Sequence, residues 1–177
     1  MRPSIHPATV WGIGGYLALL GSAIYRLAPL ALEPIRSGEL VGWQWALMIV
    51  FVGFMTYSEG YKGFWKQVGP RVVGRAFHLG KAGNHPMRRL LAPLFCMSLF
   101  GATRKRLIIS YCLYGGIIVL VIAVRQLAQP YRGIVDAGVV VGLGLGCCAV
   151  IYFFALALAG RALPVATDVP EAEDQSE

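Results

Sequence analysis

Charge is what this sequence has least of. Asp, Glu, Lys and Arg make up 14% of it, against about 25% in an ordinary soluble domain. With 56% of residues hydrophobic and a mean hydropathy of +0.61, that shortage excludes a typical soluble domain and puts the 177-residue chain in the membrane class. Residues that carry chemistry are scarce as well. None of the three histidines, His6, His78 and His85, lies in an apolar run long enough to cross a bilayer, which excludes axial haem ligation by histidine inside the membrane. His78 and His85 also lack acidic or thiolate company at ligand spacing, so neither a metal site nor a cofactor is expected. The four cysteines, Cys96, Cys112, Cys147 and Cys148, all sit in apolar stretches, and the adjacent pair points to different sides of a helix. They read as small buried hydrophobes, and disulfides are not expected.

What the chain does have is long apolar runs. Residues 9–28, 40–58, 107–124 and 134–158 each supply about 18 to 25 residues, enough to cross a ~30 Å hydrocarbon core. The first is too long for a secretory signal and ends at Arg26 and Pro29 rather than at a cleavage pattern, so it reads as a span that stays. Trp43, Trp45 and Tyr57 sit at the two ends of the second, where interfacial aromatics belong. A fifth run, residues 90–102, contains Pro93 and covers only about 20 Å as a helix. Basic clusters flank it on both sides, which favours a surface-lying or re-entrant helix over a span. The expected fold is an all-α integral membrane protein with four transmembrane helices and amphipathic interfacial or re-entrant helices between the second and third. Residues 1–163 form one membrane domain, and 164–177 an acidic disordered tail.

Basic charge is concentrated. Lys62, Lys66, Arg71, Arg75, Lys81, Arg88, Arg89, Arg104, Lys105 and Arg106 all fall in residues 59–106, opposed only by Glu59. The positive-inside tendency makes this segment cytoplasmic and puts both termini inside. Arginine outnumbers lysine, and alanine and glycine are abundant, which suits the cytoplasmic membrane of a bacterium with a GC-rich genome. Within the segment, Tyr61, Phe64, Trp65, Val68 and Val72 recur at helical spacing, with Lys62, Lys66 and Gln67 on the other side. Pro70 is expected to break or kink this helix. Beyond it, Val72, Val73, Ala76 and Phe77 form an apolar stripe opposite Arg71, Arg75 and His78, and Asn84 and Pro86 start another helix. The picture is a layer of interfacial helices, aromatic side down and basic side toward phosphates. In the plain reading these bases only set topology. In the functional one, Lys62, Lys66, Arg71, Arg75, Arg88, Arg89, Arg104, Lys105 and Arg106 present a surface to anionic lipid headgroups or a partner rather than to nucleic acid. Glu59 is expected to pair with Lys62 or Lys66.

Three span-end charges, Arg26, Arg125 and Asp136, fall near the outer face. Arg125 is the expected structural partner of Asp136, with Arg26 as the alternative. In the fourth span, Gly138, Gly142 and Gly146 lie four apart on one face, and Gly14, Ala18 and Ser22 form a matching strip in the first. Such strips allow close helix packing in lipid, either between spans one and four or across a homodimer.

Three functions fit in descending order. The first is a non-catalytic accessory, scaffold or lipid-interacting subunit, alone as a homo-oligomer or in a larger membrane complex. The second is a small oligomeric transporter or channel using Asp136, or an outer cavity of Arg26, Arg125 and Arg132. The third is a lipid-headgroup enzyme, for which Glu59, His78 and His85 make a poor acid–base set.

Overall fold

The computed structural model describes residues 6–81 and 90–165. His85, Arg88 and Arg89, with Asn84, Pro86 and nearly all of the acidic tail, lie outside the described residues. Among those described, all regular structure is helical.

Helix α1 spans Pro7–Arg36, starting on a proline in its first turn, where a missing N–H costs nothing. Its 30 residues extend about 45 Å. It does not stop at Pro29. It runs through Pro29 and Pro34 and ends where Ser37 N–H bonds Glu33 O and Gly38 takes φ +70°. Pro34 is tolerated because it is buried against Gly133, where a side chain would clash with its ring.

Helix α2 spans Gly42–Met55 and has no clean end. Residues Thr56–Val68 continue it as a π-helix, and α3, Gly69–Lys81, follows directly. Thr56 and Gly69 both keep right-handed helical dihedrals, so 42–81 is one unbroken helical path. A π segment is usually a single turn; this one has 13 residues. Pro70, expected to break the chain, sits at the seam between two hydrogen-bond registers, where a missing N–H interrupts neither ladder.

The apolar run at 90–102 forms helix only over α4, Ala92–Cys96, whose five residues cover about 8 Å. Ser98 and Gly101, both at φ +60°, turn the backbone out of helix after it. Helix α5 spans Arg104–Val124, and α6 spans Tyr131–Leu158.

Three helices, α1, α5 and α6, are long and apolar enough to cross a membrane. The expected second span is not among them, because α2 supplies only 14 residues, Gln44 among them, before the path turns polar.

Helix α6 is the centre of the packing. It runs antiparallel to α1, with Pro34 against Gly133 at one end and Ile13 and Tyr16 in a shared core with Val150 and Phe153 at the other. The 42–81 path runs parallel to α6 along its length. Trp43 meets Tyr131 (6.2 Å between ring centroids), Phe51 meets Gly138, Phe64 meets Gly146, Trp65 stacks on Tyr152 (5.1 Å) and Phe77 meets Phe154 (6.0 Å). Val72, Val73 and Ala76 of α3 complete that core with Cys96 and Ala157. Helix α4 lies on α1, where a Cβ at Gly12 would meet Cys96 Sγ at 2.9 Å and one at Gly15 would strike Pro93.

Helix α5 stands apart. Ser110 is its only buried residue, and no other described helix packs along it. Two hydroxyls tie its first half to the preceding loop: Tyr111 donates to Leu99 O (2.7 Å) and Tyr114 to Met97 O (3.3 Å).

Candidate functional site

The π segment TYSEGYKGFWKQV carries the polar groups of the 42–81 path into the middle of the bundle. Its two faces divide sharply. Phe64, Trp65 and Val68 pack onto α6 and the core rather than down into lipid, and Gly60 admits Leu145. Tyr57, Tyr61, Lys62, Lys66 and Gln67 are exposed on the other face, and Glu59, also exposed, sits at the border with its Cβ against Gly142 of α6.

The π register sets the local geometry. Lys62 Nζ lies 4.9 Å from the centroid of the Tyr57 ring, and Lys66 Nζ lies 4.9 Å from that of Tyr61. Both pairs are five residues apart, the repeat of i→i+5 hydrogen bonding; in an α-helix such residues point about 140° apart. The two tyrosines stack at 6.1 Å and 22°. Glu59, expected to pair with Lys62 or Lys66, makes no ion pair among the described residues, because both ammonium groups lean toward tyrosines instead.

Depth follows from packing. Glu59 Cβ lies against Gly142, where an added Cβ would sit 3.4 Å away. Gly142 is about 17 Å into the ~42 Å length of α6, near its middle. The segment read as a cytoplasmic interfacial layer therefore starts alongside the centre of an apolar helix.

Arg75, expected to face phosphates, is fully buried. Its Nε donates to Phe95 O (2.7 Å), and its Nη2 donates to Phe100 O (2.8 Å) and Gly101 O (3.0 Å). The guanidinium carbon sits 4.1 Å from the centroid of the Phe95 ring. These carbonyls belong to the stretch where α4 ends and the backbone turns out of helix, Phe95 O also accepting from Ser98 N–H at 3.0 Å, and a planar five-donor fork suits a divergent set of acceptors. Beside it, burial pushes the Cys96 thiol up to about 12 against the pull of the Arg75 charge.

The other singled-out residues are dispersed. Asp136 is buried, and its ion-pair partner is Arg132 on the same helix (3.6 Å), not Arg125 or Arg26, both of which are exposed. The pair is one turn apart on α6, so no loop has to close to form it, whereas α5 carries Arg125 away from α6. Arg104, Lys105 and Arg106 fill the first turn of α5, where their charges add to the positive end of the helix dipole. Arg71 Nη1 reaches back to Gln67 O (3.4 Å). Gly138, Gly142 and Gly146 do form the close-packing face of α6, but it receives Phe51, Met55, Glu59 and Phe64 rather than the small residues of α1. Gly14, Ala18 and Ser22 are exposed, and Gly12 and Gly15 make the close approaches of α1 instead. Among the described residues, no three His, Cys, Asp or Glu side chains are grouped to hold a metal ion.

Sequence reasoning missed the π register and the burial of Arg75. A signal for the first was present: two Tyr-to-Lys pairs at a spacing of five, in a stretch punctuated by Gly53, Gly60, Gly63 and Gly69. Nothing in the sequence distinguished Arg75 from Arg71.

Compared with known protein families, with characterised proteins and with solved structures, the chain matches none. The class follows from the fold itself: an all-helical membrane protein with three apolar helices of spanning length.

Proposed function

We propose that the chain is a non-catalytic accessory or scaffold subunit of a membrane assembly, acting by binding other membrane-embedded helices and anionic headgroups. One observation carries this reading: apart from the buried Ser110 and the half-buried Arg106, Leu107, Tyr114 and Val124, α5 is exposed, with no described helix packed along it. In lipid, apolar exposure is no penalty, and helices associate through packing and polar contacts. A 21-residue helix that the other described helices leave largely bare supports a surface for another protein's helix.

The topology that goes with this has four crossings, α1, the 42–81 path, α5 and α6, with both termini on the cytoplasmic side of a bacterial inner membrane. The alternating directions of α1, 42–81 and α6 support it, as do the bases Arg104, Lys105 and Arg106 at one end of α5. Those bases, with Arg71, are the headgroup-binding residues of the proposal.

The test is purification of the full chain from its membrane in mild detergent, beside a variant whose α5 residues 108–122 are all leucine. The expected result is a stoichiometric partner held by the first and lost by the second, with flotation onto anionic vesicles unchanged. Absence of any partner, together with no preference for anionic vesicles, would dispose of the reading. Among the described residues the transporter alternative has Asp136 as its only buried acid, and Arg132 pairs with that acid at 3.6 Å. Flux in proteoliposomes that disappears in Asp136→Asn would revive it.

A further inference from the structure

The exposed face of the π segment presents a problem that the described residues of one chain do not solve. Glu59, Lys62 and Lys66 are exposed; Glu59 lies at the level of the middle of α6, its Cβ against Gly142, and the two lysines follow between that level and Tyr152. Ionisable groups at such depth face protein or water, or are paired, because hydrocarbon cannot solvate them. Each ammonium has an aromatic face beneath it rather than a carboxylate, and the Glu59 carboxylate has no cation within 4 Å among the described residues. Tyr57 and Tyr61 flank the charges with a flat stacked pair that is itself exposed.

The order of charge along this face is self-complementary. An acid at 59 is followed by a base at 62 and another at 66. Two copies of one membrane protein in the same bilayer are related by a two-fold axis along the membrane normal, so the same helix from each runs side by side and parallel. Each residue then lies opposite its own copy, and residues three or four positions away are within reach. Glu59 of one copy meets Lys62 of the other, and the symmetry makes the contact twice.

We propose that the Glu59–Lys62–Lys66 face of the π segment is the interface of a two-fold homodimer, closed by reciprocal Glu59–Lys62 ion pairs between copies. Lys66 stays over Tyr61, and the tyrosine pairs seal the rim. The inference rests on the 42–81 path crossing the bilayer. It does not depend on the chain binding a different protein through α5.

The experiment uses the full chain reconstituted in lipid vesicles, with subunit number read by single-molecule photobleaching across a range of protein-to-lipid ratios. Wild type is expected to be dimeric. Glu59→Lys and Lys62→Glu each place like charges across both contacts and are expected to weaken the dimer at least about tenfold, which is about 1.4 kcal/mol. Mixing these two single variants is the decisive arm. In a mixed pair both contacts become opposite-charge contacts again, so heterodimers should form where each variant alone is monomeric. A pairing of Glu59 with Lys62 inside one chain would instead be rescued only by the double variant and never by mixing. Circular dichroism of each single variant separates lost association from lost fold, and rescue on mixing itself requires folded chains. A monomeric wild type at every ratio would overturn the proposal, as would single variants that remain dimeric. A dimer lost in both singles without recovery on mixing would overturn the reciprocal pairing. None of these outcomes bears on whether α5 holds a partner, which the purification reads separately.

Discussion

Arg75 holds together the part of the chain least able to hold itself. Two of the three carbonyls it binds, Phe100 O and Gly101 O, lie past the end of α4 beside the left-handed residues Ser98 and Gly101, where no described backbone N–H reaches them; the third, Phe95 O, also accepts from Ser98 N–H at 3.0 Å. Non-helical backbone inside an apolar bundle persists only where protein groups replace water. Arg75→Met is expected to lower stability in detergent by about 3–5 kcal/mol, since it strands buried acceptors. Arg75→Lys should recover only part of that, because an ammonium cannot reproduce the fork. Thermal unfolding followed by circular dichroism measures both, and equal stability of all three proteins would refute the role. Gly146 acts by what it lacks. A Cβ there would come within 2.7 Å of the Phe64 ring, so Gly146→Leu is expected to cost about 1–3 kcal/mol by overpacking, with Gly144→Leu, where nothing is near, as the neutral control.

At the scale of elements, the 42–81 path departs most from what periodicity suggests. Of the expected stripe of Tyr61, Phe64, Trp65, Val68 and Val72, the last four do share the core side, whereas Tyr61 lies exposed beside Lys66. That much was legible, because a helical repeat reveals which residues lie together. The partner of that face was not legible. An amphipathic stripe fits a lipid surface as well as it fits α6, and only the closeness of Gly142 and Gly146 selects the second. The π register was equally hidden, since tyrosine–lysine pairs five apart gain significance only once the backbone brings them together. The α1–α6 pairing can be checked directly. Gln129 Nε2 donates to Glu33 Oε2 at 2.7 Å across the end of that pair, so a Glu33→Cys/Gln129→Cys protein is expected to form a disulfide in membranes. Adding Gly133→Leu, which displaces Pro34, should suppress it; cross-linking that is indifferent to Gly133→Leu would mean the two helix ends do not depend on that contact.

For the whole molecule, the alternating directions of α1, the 42–81 path and α6 make a prediction about sidedness. With four crossings, Ser37→Cys and Gln126→Cys fall on the outer face and Gly160→Cys on the inner. A membrane-impermeant maleimide added to intact cells should label the first two, and label the third only after permeabilisation. Labelling of Gly160→Cys in intact cells would overturn the arrangement. The same molecule has two kinds of unfilled surface: a bare apolar helix in α5 and a charged face on the π segment. They differ in what they demand. Lipid satisfies the first, whereas the second requires charge of opposite sign.

The sequence by itself determined that this chain is a helical membrane protein, because hydropathy and length are sums over residues and need no partner to be read. It also located the close-packing glycines of α6, Gly138, Gly142 and Gly146, though not those of α1. Which side chain packs against each was decided by tertiary structure. So was whether Arg75 meets phosphate or carbonyl, and whether Asp136 pairs with Arg132 or across a hairpin. The reason is common to all three. A charge or a gap in a one-dimensional pattern is compatible with several neighbours, and the helix that arrives beside it selects one.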